Sequence, residues 1–146
     1  MERNIKKTIL LLSVSLFIFG CSNKNDIDNI VSTEYDRCKE NTNCLIDFAH
    51  LMSFEWDTMC YYSGANSLEE INKDLGFELR DFTDIGDRVI FFHKGKIIYQ
   101  KEWFYNPSEP PKGIIFMTDL DKFRISKSNA KFEAKKEGNA IYLIKI

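Results

Sequence analysis

Residues 87–104 carry apolar side chains on both sides of a segment that reads as a β-hairpin, and this double-sidedness constrains the fold more than any other feature. Lys94-Gly95 supplies the turn, so Phe92 is expected opposite Ile97 and Ile90 opposite Tyr99. One face then holds Val89, Phe91 and Ile98, the other Ile90, Phe92, Ile97 and Tyr99. Strands that are apolar on both faces must be covered on both, which places this hairpin centrally in a sheet with helices over one side.

The remaining patterns supply that setting. Ile27, Ile30, Val31, Tyr35 and Cys38 recur at helical spacing and predict a first helix ending near Asn41, whereas residues 44–52 fit either element type. Residues 54–62 read as a strand with Phe54, Trp56, Thr58, Cys60 and Tyr62 on one face. Ser67 followed by Glu70 is a capping box, after which Leu68, Ile71 and Leu75 share a face and Gly76 ends a short helix. Prolines break the pattern over 106–112, a strand follows over 113–117, and residues 130–135 and 140–146 form a last hairpin through Glu137-Gly138-Asn139. Hydrophobic residues make up 44% of the chain and aromatic ones 14%, enough for one packed core and against wholesale disorder. The predicted fold is one α+β domain over 27–146, a mainly antiparallel sheet of about five to six strands with one or two short helices.

The first residues follow a different logic. Arg3, Lys6 and Lys7 precede an apolar run over 9–19, and Gly20 stands directly before Cys21, the layout of an export signal. At about 1.5 Å per residue the run reaches about 16 Å, short of the roughly 30 Å of hydrocarbon that a membrane span must cross. Ile18-Phe19-Gly20-Cys21 resembles the lipobox of bacterial lipoproteins, with Phe19 bulkier than the residue usual at its place. The resemblance implies cleavage before Cys21, a thioether-linked diacylglycerol on its sulfur and an acyl chain on its new amino group. Several chains anchor durably where one would not. Residues 1–20 are thus expected to be removed, leaving 21–26 as a lipidated flexible tether. Ser22 after the cysteine favours the outer membrane, facing the periplasm, if the cell is Gram-negative.

Loss of residues 1–20 removes three of 20 basic and one of 22 acidic side chains, leaving 17 and 21 and a net charge of −4. With Lys135-Lys136 as the longest basic cluster, nucleic acid is not an expected partner. With Cys21 given to lipid, Cys38, Cys44 and Cys60 remain in a compartment that permits disulfides. In one continuous helix Cys38 and Cys44 would lie about 9 Å apart at their Cα atoms, so the favoured bridge between them requires the chain to break over 39–43. Cys60 is expected to be a buried thiol, since no motif pairs it as a nucleophile with His50 or His93.

Other groupings favour structural over chemical roles. Asp81, Asp84 and Asp87 around Gly86, and Asp119 with Asp121, fit turns better than a calcium loop. Glu55 and Asp57 would share a solvated strand face, Tyr62-Ser63-Gly64 lacks the nucleophile elbow, and no metal or other cofactor is expected. The most suggestive surface is Trp103-Phe104-Tyr105 running into Pro107, Pro110 and Pro111, read either as interface anchors beside a rigid loop or as the end of the core.

The residues Phe54-Glu55-Trp56-Asp57, the capped segment 67–76 and Asp87-Arg88-Val89-Ile90-Phe91-Phe92 make the mature part similar to small uncharacterised bacterial envelope lipoproteins. That likeness implies no activity. The expected function is a non-catalytic, membrane-anchored domain that binds another protein. One version is a periplasmic immunity protein against a secreted toxin; the alternative of another class is an envelope hydrolase using acids such as Asp57 and Asp84. Labelled palmitate tests the anchor: Cys21→Ala should take up none and leave the membrane fraction, and a variant that stayed labelled and membrane-bound would contradict the lipobox reading.

Overall fold

The computed structural model describes residues 26–38, 44–80, 82–83 and 86–146. The signal segment, Cys21, most of the tether, residues 39–43, Asp81 and Asp84 lie outside these residues.

The expected α+β, mainly antiparallel architecture is what forms, with the strands divided between two four-stranded sheets. The elements run α1 (Ile27–Cys38), β1 (Cys44–Asp47), α2 (Phe48–Leu51), β2 (Thr58–Tyr62), α3 (Leu68–Leu75), β3 (Asp87–His93), β4 (Lys96–Trp103), β5 (Lys112–Met117), β6 (Lys122–Ser126), β7 (Lys131–Glu137) and β8 (Asn139–Lys145). One sheet has the order β1-β7-β8-β5, the other β4-β3-β2-β6. All pairings among the described residues are antiparallel except β5 with β8.

The sheets meet face to face through rings that touch across the gap. Tyr61 lies 5.0 Å from Phe116, Phe123 lies 5.9 Å from Phe132, and Trp103 lies 6.1 Å from Phe116. Such edge and tilted ring contacts fill an interior at crystal-like density, and each fully buried side chain of this size stabilises the fold by about 2 kcal/mol. On its far side the second sheet buries Cys60, Tyr62, Ile90 and Phe92 against Ile71 of α3 and against Leu79 and Phe82. The second sheet is therefore the middle layer, as the double-sided hairpin requires.

The capping box on α3 forms as expected: Ser67 accepts from the Glu70 amide, the Glu70 carboxylate accepts from the Ser67 amide, and Gly76 ends the helix at φ +81°. Arg88 is 3% exposed, yet it is held by Glu102 at 3.1 Å, by the Thr83 carbonyl and by the Phe82 ring, which fastens the segment after α3 onto the sheet.

Three details differ from the sequence reading. The β3–β4 hairpin turns at Lys94-Gly95 with Phe92 opposite Ile97, but a bulge leaves Ile98 unpaired and puts Tyr99 opposite Phe91 rather than Ile90. Tyr99 thereby joins the inter-sheet core, and Ile98 is 38% exposed. The strand expected from residue 54 begins at Thr58, because Asp57 accepts the Lys94 amide and the Thr58 hydroxyl and so ties the preceding chain to the hairpin turn. Phe54 and Trp56 consequently pack in the core with Phe91, on the side opposite Cys60. The alternation Lys122-Phe123-Arg124-Ile125-Ser126, unremarked in the sequence, is β6.

α1 buries Ile27 and Val31 in the inter-sheet core, starting beside Gly113 at the β5 edge and ending at β1 on the other edge. There Cys38 and Cys44 form the expected disulfide with Cα atoms 5.4 Å apart, since the helix stops at Cys38 and a strand starts at Cys44. Cys60 is a free, fully buried thiol. Replacing Cys38 and Cys44 together with serine should lower stability by about 2 kcal/mol; an unchanged denaturant midpoint in the oxidised protein and the variant would show that the bridge does not constrain α1.

Candidate functional site

Where β4 ends, the chain leaves the sheet through Trp103, Phe104 and Tyr105, passes the prolines, and returns as β5. These residues enclose a cleft of about 570 Å³, within the roughly 300–1,000 Å³ usual for preformed binding sites. Its walls include all the residues singled out from the sequence as interface anchors: Trp103, Phe104, Tyr105, Pro107, Pro110 and Pro111. Asp28 from the first turn of α1 and Asp87 from the start of β3 complete it.

The three aromatic residues take different roles. Trp103 is 8% exposed, packs on Phe116 and donates from Nε1 to Asp28 Oδ1 at 2.9 Å, so it belongs to the core as well as lining the cleft. Phe104 is 55% exposed at the rim. Gly86 makes this position possible: a Cβ there would stand 3.0 Å from the Trp103 carbonyl oxygen and 3.1 Å from the Phe104 ring. Tyr105 donates its hydroxyl to the Ile114 carbonyl at 2.6 Å, tying the outgoing limb of the loop to the returning strand.

The loop is braced from within. Asn106 accepts the Ser108 amide with its side chain and the Glu109 amide with its carbonyl, while Glu109 pairs with Lys112 at 2.7 Å. Pro110 and Pro111 then fix two consecutive φ angles. Gly113 adopts φ +79°, a conformation that side-chain-bearing residues rarely take, and directs the chain back past Asp28.

The carboxylates give the cleft its polarity. Asp87 accepts the Tyr61 hydroxyl at 2.7 Å and the Gly64 amide at 2.8 Å; both partners are neutral, and among the described residues no cation pairs with it. Asp28 accepts from Trp103 and lies 3.1 Å from Lys101, which also pairs with Asp26. Burial, and then the negative charges of Asp87 and Asp28, push the Tyr105 phenol well above its ordinary range. Burial and the bond to Asp87 do the same for Tyr61. Both hydroxyls therefore remain neutral donors. The cleft offers aromatic and proline walls, hydroxyl and carboxylate oxygens, and an excess of negative charge.

The other candidates are not drawn into this site. Cys60 lies between the second sheet and α3, where burial raises its thiol pKa, and His50 and His93 sit 3.8 Å from Asp47 and Asp57 respectively instead of beside the thiol. Glu55 is exposed. Asp57 caps the hairpin turn, its pKa lowered by the Lys94 amide and the Thr58 hydroxyl. Ser63 begins a loop, where its amide donates to the Asp121 carbonyl, and Asp119 and Asp121 are exposed in the turn before β6. Among the described residues no group of three or more His, Cys, Asp or Glu side chains is placed to hold a metal.

Sequence reasoning found the aromatic and proline wall but missed Asp28 as part of it. An acid in a first helical turn already has a local explanation, and only the long-range bond to Trp103 reveals the second role. No protein-family model, curated protein or solved structure matches the chain.

Proposed function

We propose that the chain is an envelope lipoprotein, anchored through lipid on Cys21, whose single small domain binds a protein partner through the cleft formed by residues 103–112. The observation that carries this reading is the cleft itself: rigid proline walls, an exposed phenylalanine at the rim and a buried tryptophan behind it, assembled from one continuous segment. Exposed aromatic rings beside a preorganised loop are the usual anchors of protein interfaces, because little conformational entropy is lost when they dock.

The point at which the domain begins, Asp26, supports the same reading. Asp26 pairs with Lys101 beside the cleft wall, and the five residues from Ser22 to Asp26 reach at most about 18 Å beyond Cys21 when extended. A domain so attached keeps its cleft close to the bilayer, where partners in the envelope are met. Among the described residues the lining includes no serine, cysteine or histidine, and its polar groups, chiefly carboxylates, suit recognition.

Phe104→Ala separates binding from folding. The ring is more than half exposed, so thermal stability should change by no more than about 0.5 kcal/mol, while recovery of a partner with the full-length protein from crosslinked membranes should fall about tenfold or more. Equal recovery of the same partner by both proteins, quantified by mass spectrometry, would remove the cleft from the proposed function.

A further inference from the structure

The reading of the cleft as a docking site can be carried to the chemistry of what docks. We propose that the cleft takes a basic, extended segment of the partner protein, with an arginine or lysine side chain entering between Asp28 and Asp87 and apolar neighbours lying against Phe104 and the prolines. This rests on the cleft being a docking surface and adds the charge and form of its occupant.

Charge complementarity selects the cation. Among the described residues the cleft is lined by three carboxylates, Asp28, Asp87 and Glu109, and by one cation, Lys112, which is paired with Glu109. Lys101 pairs with Asp28, whereas among the described residues Asp87 is held by neutral donors alone, Tyr61 and Gly64, and no cation among them offsets its charge at the wall. An incoming guanidinium or ammonium would gain a charge-assisted hydrogen bond there. The rings of Trp103 and Tyr105 line the same space, and a cation seated over the face of either would be attracted further.

The same charges disfavour an anionic lipid surface as occupant, since headgroup phosphates would approach an already negative wall. A free small amine would satisfy Asp87 yet leave the exposed Phe104 and the proline wall without a partner. An extended segment satisfies both features. The free edge of β5 is partly closed to strand addition, because the Tyr105 hydroxyl already occupies the Ile114 carbonyl, so recognition falls to side chains.

Fluorescence anisotropy tests this with short labelled peptides bearing arginine between leucines, their citrulline twins of the same shape without charge, and glutamate versions. The arginine peptide should bind about tenfold tighter than the citrulline peptide, weaken as salt rises, and bind about tenfold more weakly to Asp87→Asn. Asparagine keeps an acceptor for the Gly64 amide, and an unchanged thermal transition confirms that the variant folds. Equal binding of arginine and citrulline peptides, binding unaffected by Asp87→Asn, or no binding of any peptide would overturn the proposal. So would arginine amide alone binding as tightly as the peptide, or Phe104-dependent binding to phosphatidylglycerol vesicles. None of these outcomes alters the partner recovery that tests the cleft itself, so the two readings fail separately.

Discussion

The structure depends on one sheet being apolar on both faces. Met59, Tyr61, Val89 and Phe91 point one way and Cys60, Tyr62, Ile90 and Phe92 the other, so neither face of the β2–β3 pair can meet water. The β1-β7-β8-β5 sheet and α1 cover the first face; α3 and the segment after it cover the other. Leaving either face open would expose several large side chains at about 2 kcal/mol each, a substantial part of the stability of a domain this size. The layering is thus forced by the middle strands, and the connections between layers are what remain free to vary.

The cleft lies at one such connection. β3 begins and β4 ends at the pair Asp87 and Trp103, and from there the chain must cross from the middle sheet to β5 in the other sheet. The proline loop makes that crossing with little conformational freedom, and α1 closes its side through the bond from Trp103 to Asp28. Trp103 is consequently shared between core and cleft: the packing that joins the sheets also fixes the wall against which a partner would rest. A junction already held by core contacts is preorganised for the docking proposed, because the entropy of ordering the wall is lost during folding and not at docking.

Local chemistry was legible in the sequence. The Ser67–Glu70 capping box, the Lys94-Gly95 and Gly138 turns, and the disulfide between Cys38 and Cys44 each depend on residues a few positions apart, and each forms as read. The misreadings concern register and partnership over distance. A bulge after Phe91 moves Tyr99 to the other face, and nothing in the spacing of 96–103 marks Ile98 as the extra residue. Both neighbours are apolar, so the pattern fits either register. Asp57 ends the ladder by bonding a turn 37 residues away, and the division into two sheets follows from pairings such as β1 with β7 that local patterns do not encode. The cleft was half legible for the same reason: its aromatic and proline wall is contiguous in sequence, whereas Asp28 and Asp87 reach it from a helix and a strand start.

The most direct test of the central claim, that the partner docks at the 103–112 junction, is site-specific photocrosslinking in living cells. A photoreactive amino acid is placed in the full-length protein at Phe104 or, in a second version, at Leu45, which is 47% exposed on β1 of the other sheet. The account predicts a discrete protein adduct from position 104 and none of that mass from position 45. The same adduct from Leu45 with none from Phe104 would place the interface elsewhere and contradict it.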